Sequence, residues 1–252
     1  MNGYAAFLKK EFTENLKNYR FPILFAVFLV FGMASPFLAK FLPEILSAVG
    51  ADLQVGSPPA ALDAWKQFYK NISGVGFSAC IILFGSCMSG EYARGTLVLF
   101  LTKGLARPAV VLAKYTAAAV LMTVCFWAGF FAAYGYTAWL WPGTALPQAF
   151  AAALCLWLIG CLYLGILLLG CVMFRQAFTG ILFTGGIAAA LSLLGLAEPL
   201  AKYNPFLLAS KNVELLSGAA SVSELLPPGI LAAVMTGACL GAAVMLFGRK
   251  QL

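Results

Sequence analysis

"KYTAAAVLMTVCFWAGFFAAYGYTAWLWPGTALPQAFAAALCLWLIGCLYLGILLLGCVMFR", residues Lys114 to Arg175, carries a charge at each end and none between. A membrane-crossing helix needs about 20 predominantly apolar residues, so this run is too long for one crossing. Its middle, "WPGTALP" (Trp141 to Pro147), gathers two prolines and a glycine, the residues that interrupt helices. The stretch therefore reads as two spans joined by a tight connection. Strands of a membrane barrel would alternate apolar and polar residues in segments of about ten. The runs here are continuously apolar, which specifies helices.

The same reading finds four more spans, between Arg20 and Lys40, Lys70 and Glu91, Arg175 and Glu198, and Glu224 and Arg249. Of the 252 residues 62% are hydrophobic and only 10% charged, against about 25% charged in a soluble domain. The expectation is an all-α membrane protein forming one transmembrane domain over residues 1–252. Its spans cover about 21–39, 71–90, 115–140, 148–174, 177–197 and 228–248. Phe21 opens the first apolar run behind a long charged segment, so a cleavable signal peptide is not expected.

Charge orients the bundle. With both termini inside, the inside segments hold Lys9, Lys10, Lys17, Arg20, Arg94, Lys103, Arg107, Lys114, Arg175, Arg249 and Lys250. The outside segments hold only Lys40, Lys66, Lys70, Lys202 and Lys211, together with most of the acids. The positive-inside rule then places both termini in the cytoplasm. The formal charge of +7 needs no nucleic acid to explain it.

Several chemistries are excluded. There is no histidine, which removes the usual general base and the commonest metal ligand. No catalytic, metal-binding or cofactor-binding constellation is expected. No Gly-x-x-x-x-Gly-Lys-Ser/Thr loop is present to cradle nucleotide phosphates. No acid or base lies deep inside a span, where ion-driven carriers keep one. The seven cysteines all fall in apolar runs without a Cys-x-x-Cys pair, and read as small buried hydrophobes.

Residues 4–20 read as an amphipathic helix lying in the headgroup region. Tyr4, Ala5, Leu8, Phe12, Leu16 and Tyr19 share one face and Lys9, Lys10, Glu14, Lys17 and Arg20 the other, with Asn15 as a misfit. On the outside, a short helical pattern carries Trp65, Phe68 and Tyr69. The loop from Glu198 to Pro228 suits either short re-entrant helices or a plain extracellular loop, with Asn204-Pro205 and Pro227-Pro228 as breaks. In the last span Ala233, Gly237 and Gly241 recur every four residues, which suggests close packing inside the bundle rather than between copies.

One segment resists simple anchoring. "GEYARGTLVLFLTKGLARPAVVLAKY", Gly90 to Tyr115, places Glu91 and Arg94 beyond the second span, then a short apolar helix "GTLVLFL" ended by Lys103-Gly104. Glu91 and Arg94 are three residues apart and would pair on one helix face. As an exposed pair they are worth about 0–1 kcal/mol, so their loss is expected to spare folding. An apolar helix at the rim calls for a partner surface.

The series Glu91, Gly95-Thr96-Leu97, Leu101-Thr102-Lys103, Arg107 and Leu112-Ala113-Lys114-Tyr115 resembles the membrane subunit of type-2 ATP-binding-cassette exporters. The opening "KKEFTENLKNYRFPILFAVFLVFGMASP" and the "YNP" before the last span agree with that family. The resemblance implies a permease subunit in a bacterial cytoplasmic membrane, paired with a second six-span subunit as a homodimer or pseudo-dimer. It implies a separate nucleotide-binding ATPase that holds ATP and Mg and docks on a cytoplasmic coupling helix between spans two and three. Carried over by position, Glu91, Arg94, Gly95, Thr96, Lys103 and Arg107 would be ATPase-coupling residues. Still open are an accessory or mechanosignalling subunit of such a complex, and a passive channel or unrelated membrane enzyme.

Overall fold

A computed structural model describes residues 3–48, 59–144, 148–174, 176–195 and 202–250, without the side chains of 43, 46–48, 93, 94, 98 and 99. Every regular element among them is helical. Six helical runs are long and apolar enough to cross a membrane: Arg20–Leu42, Ala61–Tyr92, Arg107–Leu140, Ala149–Phe174, Ala177–Leu194 and Val222–Arg249.

The chain starts with α1 (Gly3–Lys17), turns at Tyr19, whose φ of 57° is left-handed, and enters α2 (Arg20–Ala48). The short helix expected outside the membrane is instead continuous with the second span. Helix α3 (Ala61–Asn71) runs through a π-helical turn (Ile72–Gly76) into α4 (Phe77–Gly85). Its aromatic residues explain the fusion, because Trp65, Phe68 and Tyr69 are buried against the bundle. Trp65 packs on Phe130 at 5.3 Å, and the Tyr69 hydroxyl donates to the Ala149 carbonyl at 3.1 Å.

Two short helices follow, α5 (Ser89–Arg94) and α6 (Thr96–Thr102), then the long α7 (Arg107–Leu140). Helices α8 (Ala149–Phe174) and α9 (Ala177–Leu194) complete the next two crossings. Two short helices, α10 (Leu207–Ser210) and α11 (Asn212–Ser217), pack on α8 and lead to α12 (Val222–Arg249). Pro227 and Pro228, expected to mark a break, lie inside α12. Freed carbonyls in a membrane helix can be satisfied by neighbours and local adjustment, so proline need not end it.

The core is centred on α7 and α8. Helices α2 and α7 cross at two glycines that touch backbone to backbone. A Cβ on Gly129 would stand 2.6 Å from the Phe28 carbonyl oxygen, and one on Gly32 would strike the Gly129 carbonyl. Helix α12 meets α8 at Gly165 through Thr236 and Cys239, and its Ala232 and Ala243 are buried. The expected packing stripe lies off that register: Gly237 and Gly241 have open space where a side chain would go. The seven cysteines are free thiols, with Cys80, Cys125 and Cys171 buried and the others partly so.

Candidate functional site

The end of the bundle where α1 begins and α12 ends carries most of the polar chemistry. Gly95 is left-handed at φ 65° and Gly104 at φ 88°. These glycines bracket α6, since a residue without Cβ adopts that geometry at no steric cost. Pro108 sits in the first turn of α7, where its missing N–H is harmless. The sequence-predicted helix over Thr96–Thr102 is thus cut out by its own punctuation. Its apolar side is covered: Leu97 is buried, and Phe100 meets Phe7 of α1 edge to face at 5.3 Å.

Beneath α6 lies a group of buried charges. The exposed Glu91–Arg94 pair expected from spacing is not how Glu91 is used, for Glu91 is only 5% exposed and faces inward. One carboxylate oxygen pairs with Lys10, and the other with Lys114 at 2.9 Å. Glu11 completes the ring, accepting from Lys10 and from Lys114 at 3.0 Å each. Glu14 receives Lys10 at 2.6 Å from one turn further along α1. The reason for the inversion is steric: α1 lies over this end and covers Glu91, so the carboxylate must be paired or pay the cost of desolvation. Of Arg94, only the backbone at the end of α5 is described.

Three helices meet in this ring. Glu11 comes from α1, Glu91 from α5 and Lys114 from two turns inside α7, where it is 4% exposed. Lys114, expected at the cytoplasmic edge of the third span, instead lies inside the helix that forms it and is buried. Lys114 also donates to the Cys87 carbonyl at 3.0 Å. Asn15, the misfit of the amphipathic reading, is buried beside Glu11 and accepts from Arg20 at 3.2 Å; Arg20 also reaches the Ser86 hydroxyl at 2.8 Å. Burial by itself would lower the Lys10 pKa, but hydrogen bonds to Glu14 and Glu91 and the charge of Glu11 outweigh it and raise it. Burial likewise works against ionising Glu14, yet the Lys10 ammonium holds its pKa below the ordinary value. Carboxylate oxygens of Glu11, Glu14 and Glu91 converge within 4.8 Å, as at a cation site. Two ammonium groups, those of Lys10 and Lys114, supply positive charge to these carboxylates.

Arg107 has a different task. Its guanidinium donates to the carbonyls of Phe247 at 3.3 Å, Gly248 at 2.8 Å and Lys250 at 2.7 Å, gripping the C-terminal end of α12. Lys250 in turn donates to the Val172 carbonyl and to that of Met173 at 3.0 Å, at the end of α8. Cations suit helix C-termini, where carbonyls lack partners and the dipole is negative. A cleft of about 610 Å³ opens between α1 and α6, lined by Lys9, Lys10, Thr13, Glu14, Lys17, Glu91, Thr96 and Phe100 among others. A second, of about 220 Å³, adjoins it and includes Lys103.

So the expected residues divide. Glu91 and Thr96 line the larger cleft, Lys103 the smaller one, Gly95 shapes the turn, and Arg107 faces α12. The sequence model of the family described as "ABC-2 family transporter protein" matches residues 5–207. The chain belongs to the ABC-2 transporter family. It is also similar to an uncharacterized transmembrane protein, YxlG, of Bacillus subtilis (strain 168). The two are 25% identical over 205 residues, 77% of this chain and 78% of that protein. The ABC-2 chain is thus a multi-pass membrane protein and a membrane transport component. The residues that sequence reading missed were Lys10, Glu11, Asn15 and Lys114. Their signal was available: Glu11 and Asn15 fall on one stripe with Phe7, four residues apart each time.

Proposed function

We propose that this ABC-2 chain is the permease subunit of an ATP-driven exporter, with both termini in the cytoplasm of a cytoplasmic membrane. A separate nucleotide-binding subunit, holding ATP and Mg, docks on the terminal end. The observation that carries the reading is α6, a short helix between two left-handed glycines that packs on α1 through Phe100 and Phe7. It is flanked by α5, whose Glu91 is tied by charge to α1 and α7, and by Arg107 at the start of α7. Force on α6 or α5 passes through Glu91 to Lys114 and α7, and through Lys10 to α1. Arg107, five residues beyond α6, passes it to the end of α12. Glu91 is then a strut behind the docking surface, while Thr96 and Lys103 stand at it. The exposed apolar side chains of α9, among them Phe178, Leu182 and Leu193, meet lipid or a second copy of the chain.

The test is reconstitution of the chain with its nucleotide-binding subunit in liposomes. ATP-dependent movement of a co-purified small molecule is the expected result, with no nucleotide binding by the chain alone. An assembled complex that hydrolyses ATP and moves nothing would favour an accessory or mechanosignalling subunit instead.

A further inference from the structure

Spacing along the chain gives the cysteines no partners, but folding brings two of them together. Cys87 stands in the turn between α4 and α5, and Cys171 lies in the last turn of α8. The Cys171 thiol donates to the Gly85 carbonyl at 3.1 Å, which fixes its sulfur against the end of α4. Helix α9 closes the other side, for a Cβ on Gly180 would stand 2.8 Å from that sulfur. The Cys87 thiol meets the same sulfur as its hydrogen-bonding partner. Two thiols, one from the second span and one from the fourth, thus face each other beside the charged ring.

Their surroundings give them different roles. Cys171 is 1% exposed while Cys87 is only partly covered, so a small reagent meets Cys87 first. Residues 86–88 form a turn between two helices, so the Cys87 sulfur can close to the bonding distance of about 2 Å without bending α8. Cys80, deeper in the same span, differs: it is buried, and Cys125 and Cys161 act on it only through space.

We propose that Cys87 and Cys171 form a redox-sensitive dithiol, which a peroxide converts into a disulfide joining the end of α4 to the end of α8. The Cys87 sulfur attacks one peroxide oxygen: an S–O bond forms, the O–O bond breaks, and the leaving oxygen departs as water with the Cys87 proton. The Cys171 sulfur then attacks the Cys87 sulfur of that sulfenic acid. The S–S bond forms, the S–O bond breaks, and a second water leaves with the Cys171 proton. The two thiols give up two electrons, and one peroxide becomes two waters. The Cys87 carbonyl already accepts from Lys114, and that of Val172, next to Cys171, from Lys250. The disulfide therefore clamps the second span to the fourth between two holds that lysines already make. Thiols on a cytoplasmic face are kept reduced, so at the end of the bundle proposed above to be cytoplasmic the bond is of the transient, oxidant-sensing kind. Its formation needs no partner subunit and stands apart from the exporter reading.

The experiment treats the reduced full chain in nanodiscs with hydrogen peroxide, denatures it, and counts free thiols by N-ethylmaleimide labelling and intact mass. Wild type should lose two of its seven reactive thiols, and dithiothreitol should restore them. Its melting midpoint should rise on oxidation and return on reduction, since a cross-link restricts the unfolded chain. Cys87→Ser and Cys171→Ala should each keep all their remaining thiols and show no such rise, with Cys171→Ser used where alanine disturbs the core. Cys239→Ser, which removes a partly exposed thiol on α12, should respond as wild type does. A loss of two thiols that persists in Cys87→Ser assigns the bond to another pair and overturns the inference. Oxygen gained on Cys87 without a cross-link also overturns it, because the sulfurs then do not meet. So does a wild type that keeps every thiol, and a disulfide that leaves the midpoint unmoved overturns the clamp.

Discussion

The crossing of α2 with α7 and the charged ring at the terminal end solve one problem in opposite ways. Both must hold helices together where lipid gives apolar side chains no reason to prefer each other. At Gly32 and Gly129 the answer is proximity, with backbone against backbone and no side chain between. At Glu11, Glu91 and Lys114 the answer is charge, with each carboxylate shared between ammonium groups. The first contact tolerates no added atom. The second tolerates no missing charge, because its neighbours are buried and would be left unpaired.

That contrast can be broken at its strongest point. Lys114→Met removes the cation shared by Glu11 and Glu91 and leaves Lys10 to serve both. Removing one partner of a buried pair costs about 3–5 kcal/mol. The expected outcome is a large fall in the melting temperature of the detergent-solubilised chain and in its yield. A triple variant, Lys114→Met with Glu11→Gln and Glu91→Gln, should recover much of the loss. If the single variant melts like wild type, the ring is not what ties α1 to α7.

At the glycine crossing the prediction concerns volume. Gly129→Val sets carbon atoms against the Phe28 carbonyl, and forced overpacking costs about 1–3 kcal/mol. Unfolding in mixed micelles would read this as a lower midpoint. An unchanged midpoint would mean that α2 can tilt away freely.

Protonation offers a milder perturbation of the ring. Glu14 has a lowered folded-state pKa, so its contribution is present above the ordinary glutamate value near pH 4 and is lost as pH falls through the lowered one. Lys10 has a raised one, so its contribution is complete below about pH 10.5 and is lost as pH rises through the raised value. Melting temperature should be flat across neutral pH and fall at both extremes. Glu14→Gln should reduce the acid fall; if that fall is unchanged, other carboxylates govern it.

The smallest effect is expected on α12. Gly237→Leu faces open space in the single chain, so it should change monomer stability by less than about 0.5 kcal/mol. Measured beside Gly129→Val, it separates a glycine required by packing from one that the chain leaves uncovered. A cost as large as that of Gly129→Val would show that this face is packed after all.

Residue order alone determined that the chain is all helical, where its apolar runs lie, and that α6 is a separate short helix. Those properties follow from local rules: run length against bilayer thickness, and glycine at left-handed positions such as Gly95 and Gly104. The placement of Gly95, Thr96, Lys103 and Arg107 around α6 was legible for the same reason. Only the tertiary structure decided what Glu91 does. Its partners Lys10 and Lys114 lie far from it along the chain, and nothing local says that α1 folds over α5. Spacing offered Arg94, three residues away, as the obvious partner for an exposed helix. Burial under α1 changed the answer, because a desolvated carboxylate goes where cations can surround it.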